Sequence, residues 1–143
     1  MRLASRLLCI TNEEAVWAIW HPFKAVAAGR VRSDATPVGE QIGELFATGD
    51  PVQDERIVNA ARHQYGACLL SLRKGEEYAR EITEAHETNS PGSDPDDTRA
   101  DRRNNEKGFR LARESRGSAE RLGAESVCRG GMIANVQAGD FAR

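Results

Sequence analysis

Seven side chains between residues 59 and 105 are of the types that bind metal ions or transfer protons, and they form three groups along the chain. They are Asn59, His63, His86, Glu87, Asp101, Asn104 and Asn105. Asn59 and His63, four residues apart, can share a helix face, as can Asp101 and Asn105, and Glu87 follows His86 directly. Imidazole nitrogens with carboxylate oxygens are ligands for Zn²⁺, Mn²⁺ or Fe²⁺, and they are also the usual groups of general acid–base catalysis.

The segment 98–115 has the period of an amphipathic helix, but the face that should be buried begins with polar residues. That face consists of Asp101, Asn104, Asn105, Gly108, Leu111, Ala112 and Ser115. Burying a carboxylate and two amides is costly unless each finds a partner. We therefore expect this face to meet residues 59–63 and 86–87 in one pocket. Gly108 weakens a helix and so predicts that another helix approaches closely there.

The sequence leaves three interpretations of this constellation open. A divalent transition-metal ion could be held by His63, His86 and Asp101; a metal-free site could use His63 or His86 as general base; or the residues could form a structural hydrogen-bond network. No HExxH or repeated ExxH signature is present. The candidates for catalysis are His63, His86, Glu87 and Asp101. The candidates for substrate binding are Asn59, Arg62, Arg103, Asn104 and Asn105.

Helix caps, helix stops and the lack of strand alternation predict an all-α bundle of five or six helices in a single domain, residues 1–143. The predicted helices lie near 12–28, 36–48, 52–74, 76–88, 98–115 and 118–128. Residues 57–72 carry one formal charge, on Arg62, which predicts that the helix 52–74 is central. Residues 29–35 and 89–97 are expected to be loops, and the order of residues 130–143 is left open.

Composition limits the partners of the protein. A net charge of −2 and a pI near 5.9 argue against a dedicated nucleic-acid binder, and there is no apolar run long enough to span a membrane. The helix 98–115 nevertheless has a basic outer face, for which we expect a solvated surface, with contact to phosphate groups as the alternative. This face consists of Arg99, Arg102, Arg103, Lys107, Arg110, Arg113 and Arg116.

Three scattered cysteines, Cys9, Cys68 and Cys128, indicate no disulfide framework. Cys68 falls in an apolar run, so we expect a small core residue and a reducing compartment. The carboxylates of residues 94–97 lack the EF-hand pattern and are expected to form an acidic loop rather than a Ca²⁺ site.

The chain resembles a group of bacterial all-α domains that carry the pattern N-A-x-R-H … G … A … H-E … D-x-x-N-N-x-x-G. The matching residues are Asn59-Ala60-Ala61-Arg62-His63, Gly75, Ala79, Ala85-His86-Glu87, Asp101, Asn104-Asn105 and Gly108, with Tyr65 at the place of an aromatic that follows Arg-His. The resemblance covers residues 54–113. Such domains are often found at the C-terminal end of secreted or polymorphic-toxin-like proteins. The resemblance therefore implies an effector-like hydrolytic domain, whose polar centre would consist of His63, His86, Glu87, Asp101, Asn104 and Asn105.

We therefore expect an effector-like hydrolase that acts on a phosphate- or acyl-containing substrate, with either no cofactor or a divalent metal ion. It would be made in the bacterial cytoplasm, delivered by a secretion system, and paired with an immunity or chaperone protein. The alternative is a non-catalytic partner-binding protein, such as an immunity or adaptor protein, whose buried polar residues are structural.

Overall fold

The computed structural model describes residues 12–89 and 94–141, and within these residues the chain forms six α-helices and no strand. The helices are α1 (Asn12–Trp20), α2 (Pro22–Leu45), α3 (Pro51–Lys74), α4 (Glu76–Thr88), α5 (Pro95–Leu122) and α6 (Ala124–Gln137). The predicted all-α bundle is confirmed. No described helix is both long and apolar enough to cross a membrane.

Helix α3 is the central helix, as the scarcity of charge in it predicts. Asp50 caps its first turn by accepting a hydrogen bond from the backbone N–H of Val52, and Pro51 occupies the first helical position. Gly75, with φ at 94°, ends it in a conformation that L side chains rarely adopt. Between these ends α3 packs against α2, α4, α5 and α6.

Helix α2 corrects two predictions about the first third of the chain. The predicted helix 12–28 is broken at His21, because Pro22 starts a new helix. The predicted loop 29–35 is helical, and Pro37 lies inside α2 instead of opening a helix. The local proline signal is overridden because buried residues recur every three or four positions across it. These residues are Ala27, Val31, Ala35, Val38 and Ile42.

The last two helices are longer than predicted. Asp94 caps α5 by accepting a hydrogen bond from the N–H of Asp96, so α5 begins at Pro95, within the segment 89–97 that was expected to be a loop. Gly117 does not interrupt α5, which continues to Leu122. Gly130 and Gly131 lie within α6, because Cys128, Met132 and Val136 give this helix a buried stripe.

Helices α3 and α5 run parallel and in register. Asn59 contacts Asp101, and one turn later His63 contacts Asn105, so the same offset of 42 residues is kept along both helices. A further turn on, the helices touch at Gly108, where a Cβ atom would lie 2.5 Å from the Gln64 carbonyl oxygen. The close approach predicted from Gly108 is confirmed. Helix α4 makes the return connection and packs against both.

Exposed ion pairs hold α4 against α5. They join Arg80 to Glu106, Arg102 to Glu84, and Arg113 to Glu76. The Arg80 guanidinium also lies 4.4 Å from the centroid of the Phe109 ring, a cation–π contact. The fully buried apolar residues of α4 are Ala79 and Ile82, and Tyr78 packs partly buried beside them.

Cys68 and Cys128 form a buried disulfide between α3 and α6, with their Cα atoms 5.7 Å apart. The expectation of a free core Cys68 and a chain without disulfides is therefore wrong. The partners are 60 residues apart and meet only because α6 packs on α3, so cysteine spacing could not reveal the pair. Cys9 lies outside the described residues.

We expect the Gly108→Ala variant to be less stable than the wild type by about 1–3 kcal/mol, because its methyl group would collide with the α3 backbone. Gly117→Ala is the matched control on the same helix. No atom lies within 4 Å of an added Cβ there, so alanine should stabilise the protein by up to about 1 kcal/mol through helix propensity. Urea unfolding measures both, and equal stabilisation by the two variants would contradict the close helix contact.

We expect reduction of the disulfide to lower the free energy of unfolding by about 4 kcal/mol, since the bond closes a loop of 60 residues. The measurement is urea unfolding with and without reductant. It uses a Cys9→Ser variant, in which the third thiol is absent and cannot exchange with the disulfide. Alkylation of both remaining cysteines in denaturant without reductant would show that the bond is absent.

Candidate functional site

His63 lies at the centre of a polar cluster formed between α3, α4 and α5. Its Nδ1 is 3.0 Å from Asn105 Oδ1 and 3.7 Å from Glu87 Oε1, and its Nε2 is 3.4 Å from Asp101 Oδ1. Asn59 donates a hydrogen bond of 2.6 Å to that same Asp101 oxygen. We call these five residues the His63 cluster. The structure thus brings together the polar groups that the sequence places on three separate segments.

The remaining predicted site residues divide between the edge of the cluster and places away from it. His86 is beside it, with its ring centroid 6.4 Å from that of His63, and Arg62 lines the adjoining cavity. Arg103 is exposed on the surface. Asn104 is buried, but its Oδ1 accepts a hydrogen bond from Gln64 on the neighbouring face of α3. The structure does not bring Arg103 or Asn104 to the His63 cluster.

Gln64 anchors a second buried network that the sequence reasoning missed. Its amide nitrogen donates to Asn104 Oδ1 and to the backbone carbonyl oxygen of Asp140, and its Oε1 accepts from Asn135. The adjacent amides Asn104 and Asn105 were the available signal, because neighbouring residues on a helix point to different faces. One of the two therefore needed a partner outside the predicted pocket.

The electrostatics of the cluster favour uncharged forms of its two most buried titratable groups. Burial lowers the pKa of His63, and the nearby Asp101 carboxylate only partly opposes this. Burial also raises the pKa of Glu87 to about 7, with a contribution from the Asp101 charge. Glu87 Oε1 is buried and has no hydrogen-bond partner. The cluster consequently presents acceptor atoms that are not saturated by donors.

Three members of the cluster have the geometry of metal ligands. One ligand atom each from His63, Glu87 and Asp101 lie within 4.8 Å of one another, and no other such group is found in residues 12–89 and 94–141. The candidate ligand set from the sequence contained His63, His86 and Asp101. The structure places Glu87 in that group and His86 outside it, because Glu87 is the residue of α4 that faces the contact between α3 and α5.

A largely apolar cavity of about 250 Å³ ends at the His63 cluster. It lies between α1, α2, α3 and α4. The sequence analysis did not predict it, because residues 29–35, which form part of its wall, were expected to be a loop. Its apolar wall includes Trp17, Ala28, Val31, Ala35, Gly66, Ala67, Leu70 and Ile82. Its polar end includes Arg62, His63, His86, Glu87 and Asn105. Such a cavity can hold an apolar group next to polar chemistry.

Most of the basic face of α5 is occupied by carboxylates. The pairs are Arg99–Asp96, Arg102–Glu84, Lys107–Asp140, Arg110–Asp140 and Arg113–Glu76. These contacts neutralise much of the positive charge along the helix, which favours the solvated surface over a phosphate-binding one.

A family model described as a domain of unknown function (DUF6973) matches residues 15–129 of the chain. The chain belongs to the DUF6973 family. The matched region of this DUF6973 domain contains every residue of the His63 cluster and both cysteines of the disulfide. No curated protein and no solved structure gives a significant match to the chain.

We expect the Glu87→Gln variant of the DUF6973 domain to be more stable than the wild type at pH 8.5 by about 3 kcal/mol, with little difference at pH 5. The folded-state pKa of Glu87, about 7, is above its ordinary value of 4.5. The ionised carboxylate therefore lowers the free energy of unfolding progressively as pH rises through that interval. Urea unfolding in a buffer with a chelator measures the difference.

The matched control for this prediction is Glu77→Gln, which removes an exposed carboxylate from the same helix. It should change stability by less than about 0.5 kcal/mol at either pH. A stabilisation by Glu87→Gln that is the same at pH 5 and pH 8.5 would contradict the raised pKa.

Proposed function

We propose that this DUF6973 domain is an effector-type hydrolase of acyl-containing substrates. The observation that carries the proposal is the apolar cavity that ends at the His63 cluster. An acyl chain in the cavity would set its carbonyl carbon beside His63, Glu87 and Asp101. Sites of this kind, mostly apolar with a few convergent polar groups, are typical of small-molecule binding.

The size of the cavity favours a short acyl group. A volume of about 250 Å³ is larger than a cavity of about 150 Å³ that binds benzene. It is below the range of about 300–1,000 Å³ that is usual for drug-sized ligands. A chain of a few carbons fits this space better than a long fatty acyl chain.

The cluster would activate a water molecule for attack on the acyl carbonyl. The unpartnered Glu87 Oε1 and the Asp101 carboxylate would accept hydrogen bonds from a water molecule, which leaves its oxygen lone pairs free to attack. The oxygen adds to the carbonyl carbon, and its proton passes to the unpartnered Glu87 oxygen and then to the leaving alcohol or amine. Arg62, which lines the cavity, supplies positive charge for the oxyanion that forms.

The disulfide supports an effector that works outside the cytoplasm. Disulfides form and persist in oxidising compartments and are rare in the cytosol, and the Cys68–Cys128 bond joins two buried residues of the core. This fits the secreted, toxin-like group that the sequence resembles, made in the bacterial cytoplasm and delivered across a membrane, with a cognate immunity or chaperone protein.

The experiment is hydrolysis of p-nitrophenyl esters of increasing chain length. We expect the highest kcat/KM for chains of about two to six carbons. Gly66→Ala should raise KM for the longer of these, because the methyl group enters the cavity wall at an ordinary contact distance, 3.5 Å from Val31 Cγ1. Glu87→Gln should lower kcat at least about 100-fold, while Glu77→Gln should retain wild-type rates. Wild-type activity in Glu87→Gln would overturn the proposal.

A second candidate function, non-catalytic partner binding, is favoured by a different surface. Ile19, Trp20 and Phe23 at the α1–α2 junction are 75%, 78% and 87% exposed, and clustered exposed apolar side chains mark contact sites. A folded protein without esterase or amidase activity on any chain length would favour this function. A Trp20→Ser variant that no longer binds a small protein encoded beside it would then support partner binding.

A further inference from the structure

The His63 cluster contains an arrangement of acceptor atoms that a cation would complete. Asn105 Oδ1 can only accept a hydrogen bond, so the Nδ1 of His63, 3.0 Å away, is the nitrogen that carries the proton. In this neutral tautomer Nε2 carries a lone pair. It lies 3.4 Å from Asp101 Oδ1, which is also an acceptor. Two acceptors at this distance repel each other unless a positive charge lies between them.

A second, independent observation comes from Glu87 on α4. Its side chain is only 5% exposed, and its Oε1 has no hydrogen-bond partner. Leaving a carboxylate oxygen buried and unpaired costs about 1–3 kcal/mol or more. One oxygen of Glu87, one ring nitrogen of His63 and one oxygen of Asp101 all lie within 4.8 Å of one another.

We propose that His63, Glu87 and Asp101 bind a divalent transition-metal ion, with Zn²⁺ or Mn²⁺ as the fitting class. Ligand atoms on one such ion lie about 3.4–4.2 Å apart, because each is about 2.1 Å from the metal. The separation of 3.4 Å between His63 Nε2 and Asp101 Oδ1 already fits. The Glu87 carboxylate, whose Oε1 lies 3.7 Å from Nδ1 of the same ring, would turn towards Nε2 to complete the set. The neutral imidazole selects against Ca²⁺ and Mg²⁺, which prefer oxygen ligands.

The residues around the ligands support them as outer-shell residues do in metal sites. Asn105 Oδ1 accepts a hydrogen bond from the Nδ1–H of His63 and so fixes the tautomer in which Nε2 carries the lone pair. Asn59 orients the Asp101 carboxylate through its hydrogen bond of 2.6 Å. The three protein ligands leave a coordination position for water on the side of the cavity, which is the arrangement of catalytic rather than structural sites.

The proposal of a metal site rests on this geometry alone. Together with the proposed function, it also assigns the ion a role in the hydrolysis. A bound ion would hold the attacking water and lower its pKa. With Glu87 occupied as a ligand, the proton would pass to His86, which lines the cavity outside the ligand group.

The test is isothermal titration of the untagged, chelator-treated Cys9→Ser protein with Zn²⁺ and, separately, with Mn²⁺, together with melting curves. We expect saturable binding of one ion per chain and a melting temperature that rises with metal concentration. Ca²⁺ and Mg²⁺ should produce neither effect. Absence of saturable 1:1 binding of Zn²⁺ and Mn²⁺ would overturn the proposal.

The variant Glu87→Gln separates metal binding from folding, because it is expected to fold at least as stably as the wild type in the metal-free state. It should lose the saturable binding and the thermal shift. Glu77→Gln should keep both, and Asn105→Ala should weaken affinity by about 10–100-fold. Unchanged affinity in Glu87→Gln would overturn the site.

Activity measurements distinguish the failure of this proposal from the failure of the proposed function. Ester hydrolysis that survives complete metal removal would overturn a catalytic metal while leaving an acyl hydrolase. Stoichiometric metal binding without hydrolysis of any ester would leave the metal site and overturn the hydrolase.

Discussion

The parallel packing of α3 against α5 is the constraint on which the site depends. At Gly108 the two backbones approach closely enough to exclude even a methyl group. This contact fixes the register one and two turns earlier, where His63 meets Asn105 and Asn59 meets Asp101 directly. A larger residue at the contact would separate the helices and lengthen both polar contacts. The glycine is therefore as important for the geometry of the cluster as the polar residues themselves.

The two sides of α3 have opposite effects on stability. On one side, desolvation works against the charged forms of His63 and Glu87, so that the cluster lowers the free energy of unfolding over part of the pH range. On another side, Cys68 is linked covalently to Cys128 of α6, which restricts the unfolded chain. The His63 cluster, which is costly to fold, thus lies on a helix that a disulfide secures to the rest of the bundle.

The sequence predicts the parts of the structure that depend on local pattern. The polar face of α5 follows from the helical spacing after Asp101, and the extent of α3 follows from its caps and its low charge. Other features depend on contacts between distant segments. Proline is common at the first position of a helix, so Pro37 favoured a helix start near residue 36. This local preference does not reveal the apolar stripe along which α2 continues past Pro37. The pairing of Cys68, the partner of Gln64 and the parallel direction of α3 and α5 are likewise properties of the assembled bundle.

The ion pairs between α4 and α5 make one wall of the cavity sensitive to ionic strength. Helix α4 carries Glu87 and His86, yet its fully buried apolar residues are only Ala79 and Ile82, with Tyr78 partly buried beside them. Exposed charge pairs are screened beyond about 8 Å at physiological ionic strength, and more strongly as salt is added. Local unfolding begins where buried apolar contacts are few. Added salt should therefore weaken the contact of α4 with α5 and loosen the part of the cavity wall that α4 forms.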